Sequence, residues 1–181
     1  KEHKIPASIT LAQGLLESGA GQSALARKSN NHFGIKATSS WIENGGKYLV
    51  YTDDRPNEKF CQYANVGDSY EHHSQFLKRN GRYAGLFQLS PDDYKGWTNG
   101  LQDAGYASSK QYAATLQNII EKNGLQKYDQ MVMQEMKALG KSFGTADNPC
   151  QATSDDVSVQ DTEEKKYTLF KAYYQYVAVL N

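Results

Sequence analysis

The sequence predicts a mainly α-helical fold of the α+β class, interrupted by one small β-hairpin. Three observations support this prediction. Apolar residues recur at helical spacing from Ile5 to Leu16, the spacing becomes strand-like only between Lys47 and Tyr63, and helical spacing returns after residue 68. The chain has 181 residues, of which 39% are hydrophobic, so it is long enough to fold around one buried core.

Charge and composition exclude several classes of function. Twenty Lys and Arg residues balance twenty Asp and Glu residues, which argues against a nucleic-acid binder that neutralises phosphates. No apolar run approaches the ~20 residues that span a bilayer, so no membrane span is expected. No secretory signal precedes Lys1, and we therefore expect a trimmed or mature form. Thirteen tyrosines, six phenylalanines and two tryptophans suit both a core and a sugar-binding cleft.

The first predicted helix begins at Pro6 and ends before Gly19 and Gly21. Proline is accepted in the first turn, where a backbone N–H has no partner within the helix, and glycines commonly follow a helix C-terminus. One apolar face comprises Ile5, Ile9, Ala12 and Leu16. A second stripe, predicted to lie away from that face, comprises Thr10, Gln13 and Glu17. Glu17 therefore falls in the last helical turn.

Glu17 occupies an unfavourable position for a carboxylate. The C-terminal end of a helix carries partial negative charge, which costs a nearby anion about 0.3–1 kcal/mol. Together with partial burial, this field should raise the pKa of Glu17 and keep the group protonated near neutral pH. A protonated carboxyl group beside a cleft is what a general acid requires. The alternative is an ordinary solvated glutamate on a helix surface.

Short elements and loops follow this helix. Ser23 can cap a short helix that extends to Lys28. Residues 29–34 are predicted to form a loop, and residues 35–46 are predicted to be irregular.

The one predicted β-hairpin follows. Its strands are expected at Lys47–Thr52 and Lys59–Tyr63. The polar loop between them carries Asp53 and Asp54. A loop held by a rigid scaffold is a common place for functional residues.

The rest of the chain is predicted to be helical up to residue 139. Helices are expected, in order, from Asp68 or Ser69 to Asn80, from the segment Ser90–Asp93 to Ala104, from Ser108 or Ser109 to Asn123, and from Leu125 to Leu139. One domain is thus expected over residues 1–144. Residues 145–162 are small, polar and acidic, which is typical of a linker or surface loop. Residues 163–181 are interpreted as an amphipathic helix that packs back on the domain, with a strand as the alternative.

Cysteine and histidine patterns predict no metal site. Cys61 and Cys150 form either one disulfide, as in exported proteins, or two free buried thiols. The adjacent His72 and His73 point to different helix faces, and His73 is predicted to be buried and hydrogen-bonded. The sequence also lacks a phosphate-binding loop and a dinucleotide fingerprint, so no cofactor is expected.

Five blocks of sequence together form a recognisable pattern. They are LAQGLLESGAGQS followed by NNHFGIK, the FxxY motif at Phe60–Tyr63, SYEHHSQFL at Ser69–Leu77, RYA at Arg82–Ala84 and AGYASSKQYA at Ala104–Ala113. In this order, from about Ile5 to Asp129, they resemble the glucosaminidase domain of bacterial peptidoglycan hydrolases (glycoside hydrolase family 73, flagellar-hydrolase and autolysin type). The resemblance implies a lysozyme-like fold, in which a small β-hairpin lobe lies over a substrate groove in a helical lobe.

The same resemblance assigns candidate catalytic residues. Glu17 matches the general acid of the family. Glycoside cleavage usually needs a second carboxylate, and the family typically has a Glu on the hairpin after a strand-end Thr. Here Thr52 is followed by two aspartates: Asp54 is the first candidate, Asp53 the second, and Glu58 a distant third. The alternative is a turn whose aspartates only solvate the loop.

Candidate substrate contacts also follow from the resemblance. Tyr106 lies in AGYA, where the family has a Tyr that lines the catalytic cleft. The other candidates are Tyr112, Asn31, Phe33 and Trp41. For each of these four, packing within the protein is the competing interpretation.

The function implied is that of an endo-β-N-acetylglucosaminidase. Such an enzyme cuts the β-1,4 bond after N-acetylglucosamine in peptidoglycan glycan strands, either by inversion through water or with the help of the substrate acetamide. A muramidase or lytic transglycosylase is the nearest alternative, and a non-catalytic glycan-binding module is the alternative of another class. We expect a monomer in the cell envelope, secreted or periplasmic, with peptidoglycan as its partner.

Overall fold

The computed structural model describes residues 3–53 and 55–138. Within these ranges the helices are α1 (Ala7–Ser18), α2 (Ala24–Ser29), α3 (Ser39–Glu43), α4 (Val66–Arg79), α5 (Tyr94–Asp103), α6 (Tyr112–Lys122) and α7 (Gln126–Ala138), with a 3-10 helix at Gly81–Gln88. The strands are β1 (Tyr48–Tyr51) and β2 (Glu58–Cys61). The predicted mainly helical fold with one hairpin is confirmed. The predictions for Asp54, Cys150, residues 145–162 and residues 163–181 lie outside the described residues.

Helix α1 lies among other helices, and this explains its burial. It packs against α4, α5, α6 and α7. Ile9, Ala12 and Gln13 have no exposed surface, so the predicted placement of Gln13 away from the buried face is wrong. A helix enclosed by several neighbours buries side chains around most of its circumference rather than along one stripe.

Both ends of α1 have specific caps. At the N-terminus, the Ser8 N–H donates a 2.9 Å hydrogen bond to Oδ1 of Asp129, a residue of α7. This contact gives a partner to one of the N–H groups that a helix cannot satisfy internally, and it places a carboxyl group at the positive end of the helix. At the C-terminus, Gly19 adopts a left-handed conformation with φ of 57° and ends the helix directly after Ser18.

Helices α1 and α4 approach closely at Gly14. A Cβ atom at this position would lie 2.2 Å from Oη of Tyr70 in α4. Because no side chain could fit there without moving the Tyr70 ring, glycine is required for this close packing.

The hairpin is antiparallel and places one strand against the core. Tyr48 pairs with Cys61 and Tyr51 pairs with Glu58. Phe60 is 1% exposed, and Cys61 is a buried free thiol among the described residues. The predicted hairpin is therefore present, and its second strand is held by the core.

Three element boundaries differ from the prediction because local caps compete. Residues 39–43, predicted to be irregular, form α3, whose N-terminus is capped by the Thr38 hydroxyl accepting from the Trp41 N–H. Helix α4 begins at Val66, three residues before Ser69, because the Asn65 side chain accepts from the Asp68 N–H. Helix α6 begins only at Tyr112, since the Ser109 hydroxyl accepts from the Gln111 N–H in a preceding turn.

Two further features complete the fold. The 3-10 helix at Gly81–Gln88, not predicted from the sequence, continues from α4, and the Asn80 side chain accepts from the Arg82 N–H at its start. In the described part of the chain, every helix is too short or too polar to cross a membrane.

Candidate active site

Glu17 lies in the last turn of α1 and is exposed to solvent. The turn that follows it is held by the buried side chain of Ser18, whose hydroxyl accepts a 2.7 Å hydrogen bond from the Gly21 N–H. The predicted position of Glu17 at the C-terminal end of the helix is therefore confirmed. Its carboxyl group is presented on a rigid helix end rather than on a loop.

The Glu17 carboxyl group has a defined partner. Oη of Tyr112, the first residue of α6, donates a 2.9 Å hydrogen bond to Oε1 of Glu17. Tyr112 is 4% exposed, so its hydroxyl is fixed by the core. Behind it, the fully buried Gln13 donates through Nε2 to the same hydroxyl oxygen at 3.0 Å.

The protein environment raises the pKa of Glu17. Although the residue is open to solvent, loss of hydration around its carboxyl group is the largest effect, and the Tyr112 hydrogen bond acts in the opposite direction. The net result favours the protonated form at a higher pH than for a free glutamate. The carboxyl group is thus both accessible and suited to donate a proton.

Tyr106 lies beside this pair. Its ring stacks on that of Tyr112, with centroids 5.5 Å apart and an interplanar angle of 21°. Its Oη lies 3.2 Å from Nε2 of His73, which has no exposed surface. Burial lowers the pKa of His73 to about 3, so the imidazole is neutral at physiological pH and its predicted buried, hydrogen-bonded state is confirmed.

Burial, followed by the nearby charge of Glu17, raises the pKa of Tyr106 well above its ordinary value. For Tyr112, burial is likewise the main reason that the pKa rises. Both hydroxyls therefore remain protonated. They are available as hydrogen-bond groups and not as bases.

The hairpin acids differ in how they are held. Asp53 is exposed at the loop, and its backbone N–H donates to the Arg55 carbonyl oxygen at 3.4 Å. Glu58 instead forms an ion pair with Lys36 and accepts from the Arg55 N–H at 3.2 Å. The hydrogen bond from Lys36 lowers the pKa of Glu58, which makes this carboxylate part of the hairpin structure.

Comparison with known sequences decides the family. The profile of the glucosaminidase family, described as mannosyl-glycoprotein endo-beta-N-acetylglucosaminidase, matches residues 1–125. The chain belongs to the glucosaminidase family. The resemblance seen in the sequence motifs is thereby confirmed.

Two curated relatives of this glucosaminidase are similar over different lengths. Exo-glucosaminidase LytG of Bacillus subtilis is 30% identical over 186 residues, which cover 92% of this chain and 62% of LytG. Peptidoglycan hydrolase FlgJ of Vibrio parahaemolyticus is 34% identical over 125 residues, which cover 64% of this chain and 40% of FlgJ. The matched region is thus less than two thirds of either relative.

Solved structures support the same fold. The catalytic domain of the autolysin Auto from Listeria monocytogenes has a TM-score of 0.59 and 29% identity, covering 71% of this chain and 77% of that domain. The glycoside hydrolase domain of FlgJ from Salmonella typhimurium has a TM-score of 0.55 and 30% identity, covering 77% of this chain and 84% of that domain. The glucosaminidase fold is therefore shared along most of the chain.

Asn31 and Phe33 lie inside the glucosaminidase core. The Asn31 side chain, 1% exposed, donates to the carbonyl oxygens of Ile35 and Cys61 at 2.9 Å each, so it ties the loop to the hairpin. Phe33, 7% exposed, stacks on His73 with centroids 3.9 Å apart. Phe33 thereby packs against the imidazole that contacts Tyr106.

Trp41 lies at the base of the hairpin. It is half-buried, stacks on His72 with centroids 5.1 Å apart, and donates through Nε1 to the Lys47 carbonyl oxygen at 2.8 Å. His72 also lines a surface depression of about 410 Å³ along α4, together with Phe76, Arg79, Asn80 and Gly81. This depression shares no lining residue with the cluster of Glu17, Tyr106 and Tyr112.

Sequence reasoning missed Gln13 as a member of the glucosaminidase site. A signal was present, because Gln13 lies four residues before Glu17 and therefore on the same helix face.

In the described residues, no group of three His, Cys, Asp or Glu side chains could hold a metal ion.

Proposed function

We propose that this chain is an endo-β-N-acetylglucosaminidase that cleaves the β-1,4 bond after N-acetylglucosamine in peptidoglycan. The observation that carries the proposal is the solvent-accessible Glu17 carboxyl group, whose pKa is raised by desolvation while Tyr112 holds one of its oxygens. Membership of the glucosaminidase family supports the reaction class. The names of FlgJ and LytG support peptidoglycan as the polymer and glucosamine as the residue whose bond is cut.

Glu17 acts in this proposal as the general acid. Its proton moves to the glycosidic oxygen while the bond from that oxygen to the anomeric carbon breaks. Asp54, or Asp53 beside it, stabilises the positive charge that develops on the sugar, and water then adds to the anomeric carbon and releases a proton. In this proposal Tyr106, next to Tyr112, hydrogen-bonds a polar group of the sugar, and Trp41 at the hairpin base contributes an aromatic face.

The site of action follows from the substrate. Peptidoglycan lies in the cell envelope, so we propose that the protein works there, secreted or in the periplasm, as a monomer on glycan strands. Asn31 and Phe33 shape the site from within the core, since the hydrogen bonds of Asn31 end on backbone atoms.

Exo action is a second candidate, because the relative matched over 92% of this chain is named an exo-glucosaminidase. The two modes share the same acid and the same bond. They differ in whether the enzyme cuts inside a strand or removes units from its end.

Product analysis tests these proposals in one experiment. Purified peptidoglycan is digested and the new reducing ends are reduced with borohydride; glucosaminitol ends are expected. Muramitol or anhydromuramic ends would instead show a muramidase or lytic transglycosylase. Early products of mixed length indicate endo cleavage, whereas small units from the first minutes indicate exo cleavage. Failure of the unmodified protein to clear a peptidoglycan zymogram would favour a glycan-binding module.

A further inference from the structure

We propose that Gln13 is a positioning residue, which sets the direction of the Tyr112 hydroxyl and thereby determines which oxygen of Glu17 carries the catalytic proton. This inference deepens the proposed function and rests on Glu17 as the general acid. Gln13 itself touches no substrate. It acts through Tyr112 alone.

The three side chains form one chain of hydrogen bonds. Nε2 of Gln13 donates to Oη of Tyr112 at 3.0 Å, and that hydroxyl donates to Oε1 of Glu17 at 2.9 Å. Gln13 has no exposed surface and Tyr112 is 4% exposed. Water therefore has little access to the hydrogen bond between Gln13 and Tyr112.

The amide of Gln13 imposes a direction on this chain. An amide NH₂ group can only donate, so the Tyr112 oxygen accepts from it and must use its single hydrogen elsewhere. Oε1 of Glu17 is the acceptor within reach. In the opposite amide orientation, the NH₂ group would be buried without an acceptor. In the observed orientation, the carbonyl oxygen of Gln13 is the unpaired atom. Folded proteins tolerate a buried unpaired carbonyl oxygen better than a buried unpaired N–H.

This direction separates the roles of the two carboxyl oxygens. Because Oε1 accepts the Tyr112 hydrogen bond, the proton of neutral Glu17 resides on Oε2. Among the described residues, Oε2 has no hydrogen-bond partner, and Glu17 is exposed. The proton is therefore held on the oxygen that is free to reach a glycosidic bond.

The test replaces Gln13 with methionine, which has a similar length but no amide. Without the N–H of Gln13, the Tyr112 hydroxyl can either donate to Glu17 or turn and accept its proton. The protonated form thereby gains a second hydrogen-bonded arrangement that the carboxylate, which can only accept, does not have. We expect the pKa of Glu17, measured from the ¹³C shift of its carboxyl carbon, to rise by about half a unit to one unit. We expect kcat to fall about tenfold with little change in KM, because part of the proton population moves to Oε1.

Two controls separate positioning from packing. In a Tyr112→Phe background, Gln13→Met should leave the pKa of Glu17 unchanged, since the connecting hydroxyl is gone. Thr98→Val removes another fully buried polar group, whose hydrogen bonds go to the Lys95 carbonyl oxygen and to Gln117 and not to Glu17 or Tyr112, and it should leave the pKa and the activity unchanged. Should Gln13→Met fold poorly, Gln13→Leu provides the same comparison.

The results can overturn the inference independently of the proposed function. An unchanged pKa in Gln13→Met, or an equal shift in the Tyr112→Phe background, would show that Gln13 only packs. The NMR titration does not depend on catalysis, so it remains decisive even if Glu17→Gln were to keep full activity and thereby show that Glu17 is not the acid.

Discussion

The hydroxyl of Tyr112 donates a 2.9 Å hydrogen bond to Oε1 of Glu17, and the two residues lie 95 positions apart in the chain. This contact joins the C-terminal turn of α1 to the first residue of α6. The orientation of the candidate acid is therefore set by a distant element and not by its own helix. Because Tyr112 stays protonated, it always offers this carboxyl group a donor.

Glu17→Gln should abolish activity and yet stabilise the fold at neutral pH. We expect kcat to fall by about 10²–10⁴-fold, the usual contribution of a general acid. Since the folded-state pKa of Glu17 is raised, the native protein holds this proton more tightly than the unfolded chain, and stability falls as the pH rises from 4.5 through the raised pKa. A neutral Gln does not carry this cost.

Urea unfolding at pH 4 and pH 8 measures the effect. The gain in free energy of unfolding from Glu17→Gln should be larger at pH 8. Glu43→Gln, on the exposed surface of α3, is the matched control and should change neither activity nor its pH profile. An equal gain at both pH values would contradict the raised pKa.

The hairpin acids should differ in their contribution to catalysis. We expect Asp54→Asn to lower kcat by about 10²-fold or more and Asp53→Asn to lower it less. Glu58→Gln should act through the hairpin, because Glu58 is paired with Lys36. Its effect should therefore appear mainly in KM and be reproduced by Lys36→Met.

Steady-state kinetics on purified glycan strands distinguish these variants. Full activity of both aspartate variants, singly and combined, would remove the hairpin from the mechanism and leave the substrate acetamide as the group that assists Glu17.

His73 should make the fold sensitive to acid. Its pKa falls from 6.5 in the unfolded chain to about 3 in the folded protein, and that of His32 falls to about 4, both because of burial. Between these values the unfolded chain binds more protons, so stability decreases as the pH falls below about 6.5. Each histidine contributes up to about 1.4 kcal/mol per pH unit.

Chemical denaturation from pH 7.5 to 4.5 measures this slope. His73→Gln keeps a donor near Tyr106 but cannot titrate, and it should reduce the slope by up to about 1.4 kcal/mol per pH unit. A slope equal to that of the unmodified protein would show that His73 does not bind a proton on unfolding in this range.

Gly14→Ala should destabilise the protein despite the better helix propensity of alanine. The new Cβ would lie 2.2 Å from Oη of Tyr70, and overpacking of this kind costs about 1–3 kcal/mol. The helix gains about 1 kcal/mol from the substitution, so we expect a net loss of up to about 2 kcal/mol.

Gly85→Ala is the control for this substitution. No heavy atom lies within 4 Å of a Cβ at Gly85, and we expect a change within about 0.5 kcal/mol. Thermal unfolding of both variants gives the comparison. A Gly14→Ala protein more stable than the unmodified protein by about 1 kcal/mol, the full gain in helix propensity, would mean that the Tyr70 ring moves without cost.

The sequence predicted those features that local patterns encode. The end of α1 at Gly19, the Ser23 cap of α2 and the start of α5 at the end of the segment Ser90–Asp93 all depend on residues within one turn, and all three agree with the structure. The position of Glu17 follows from the first of these.

Features that depend on distant partners were not predictable in the same way. The amide of Gln13 finds its acceptor 99 residues away in Tyr112, and the periodicity of α1 alone makes Gln13 look solvent-facing. The early start of α4 reflects a competition between nearby caps, in which Asn65 prevails over Asp68 and Ser69. Local propensity cannot rank such competitors without the surrounding packing.

The cap on the N-terminus of α1 has a consequence for how the protein is made. Asp129 follows Ser8 by 121 residues and lies beyond the region that matches the family profile, which ends at residue 125. The helix that bears the acid is synthesised before α7, so its Ser8 N–H cannot form the hydrogen bond to Asp129 until α7 has been synthesised. Residue 129 must therefore be translated before the N-terminus of α1 can acquire this hydrogen bond. A fragment that ends at residue 125 lacks Asp129 and therefore lacks the contact.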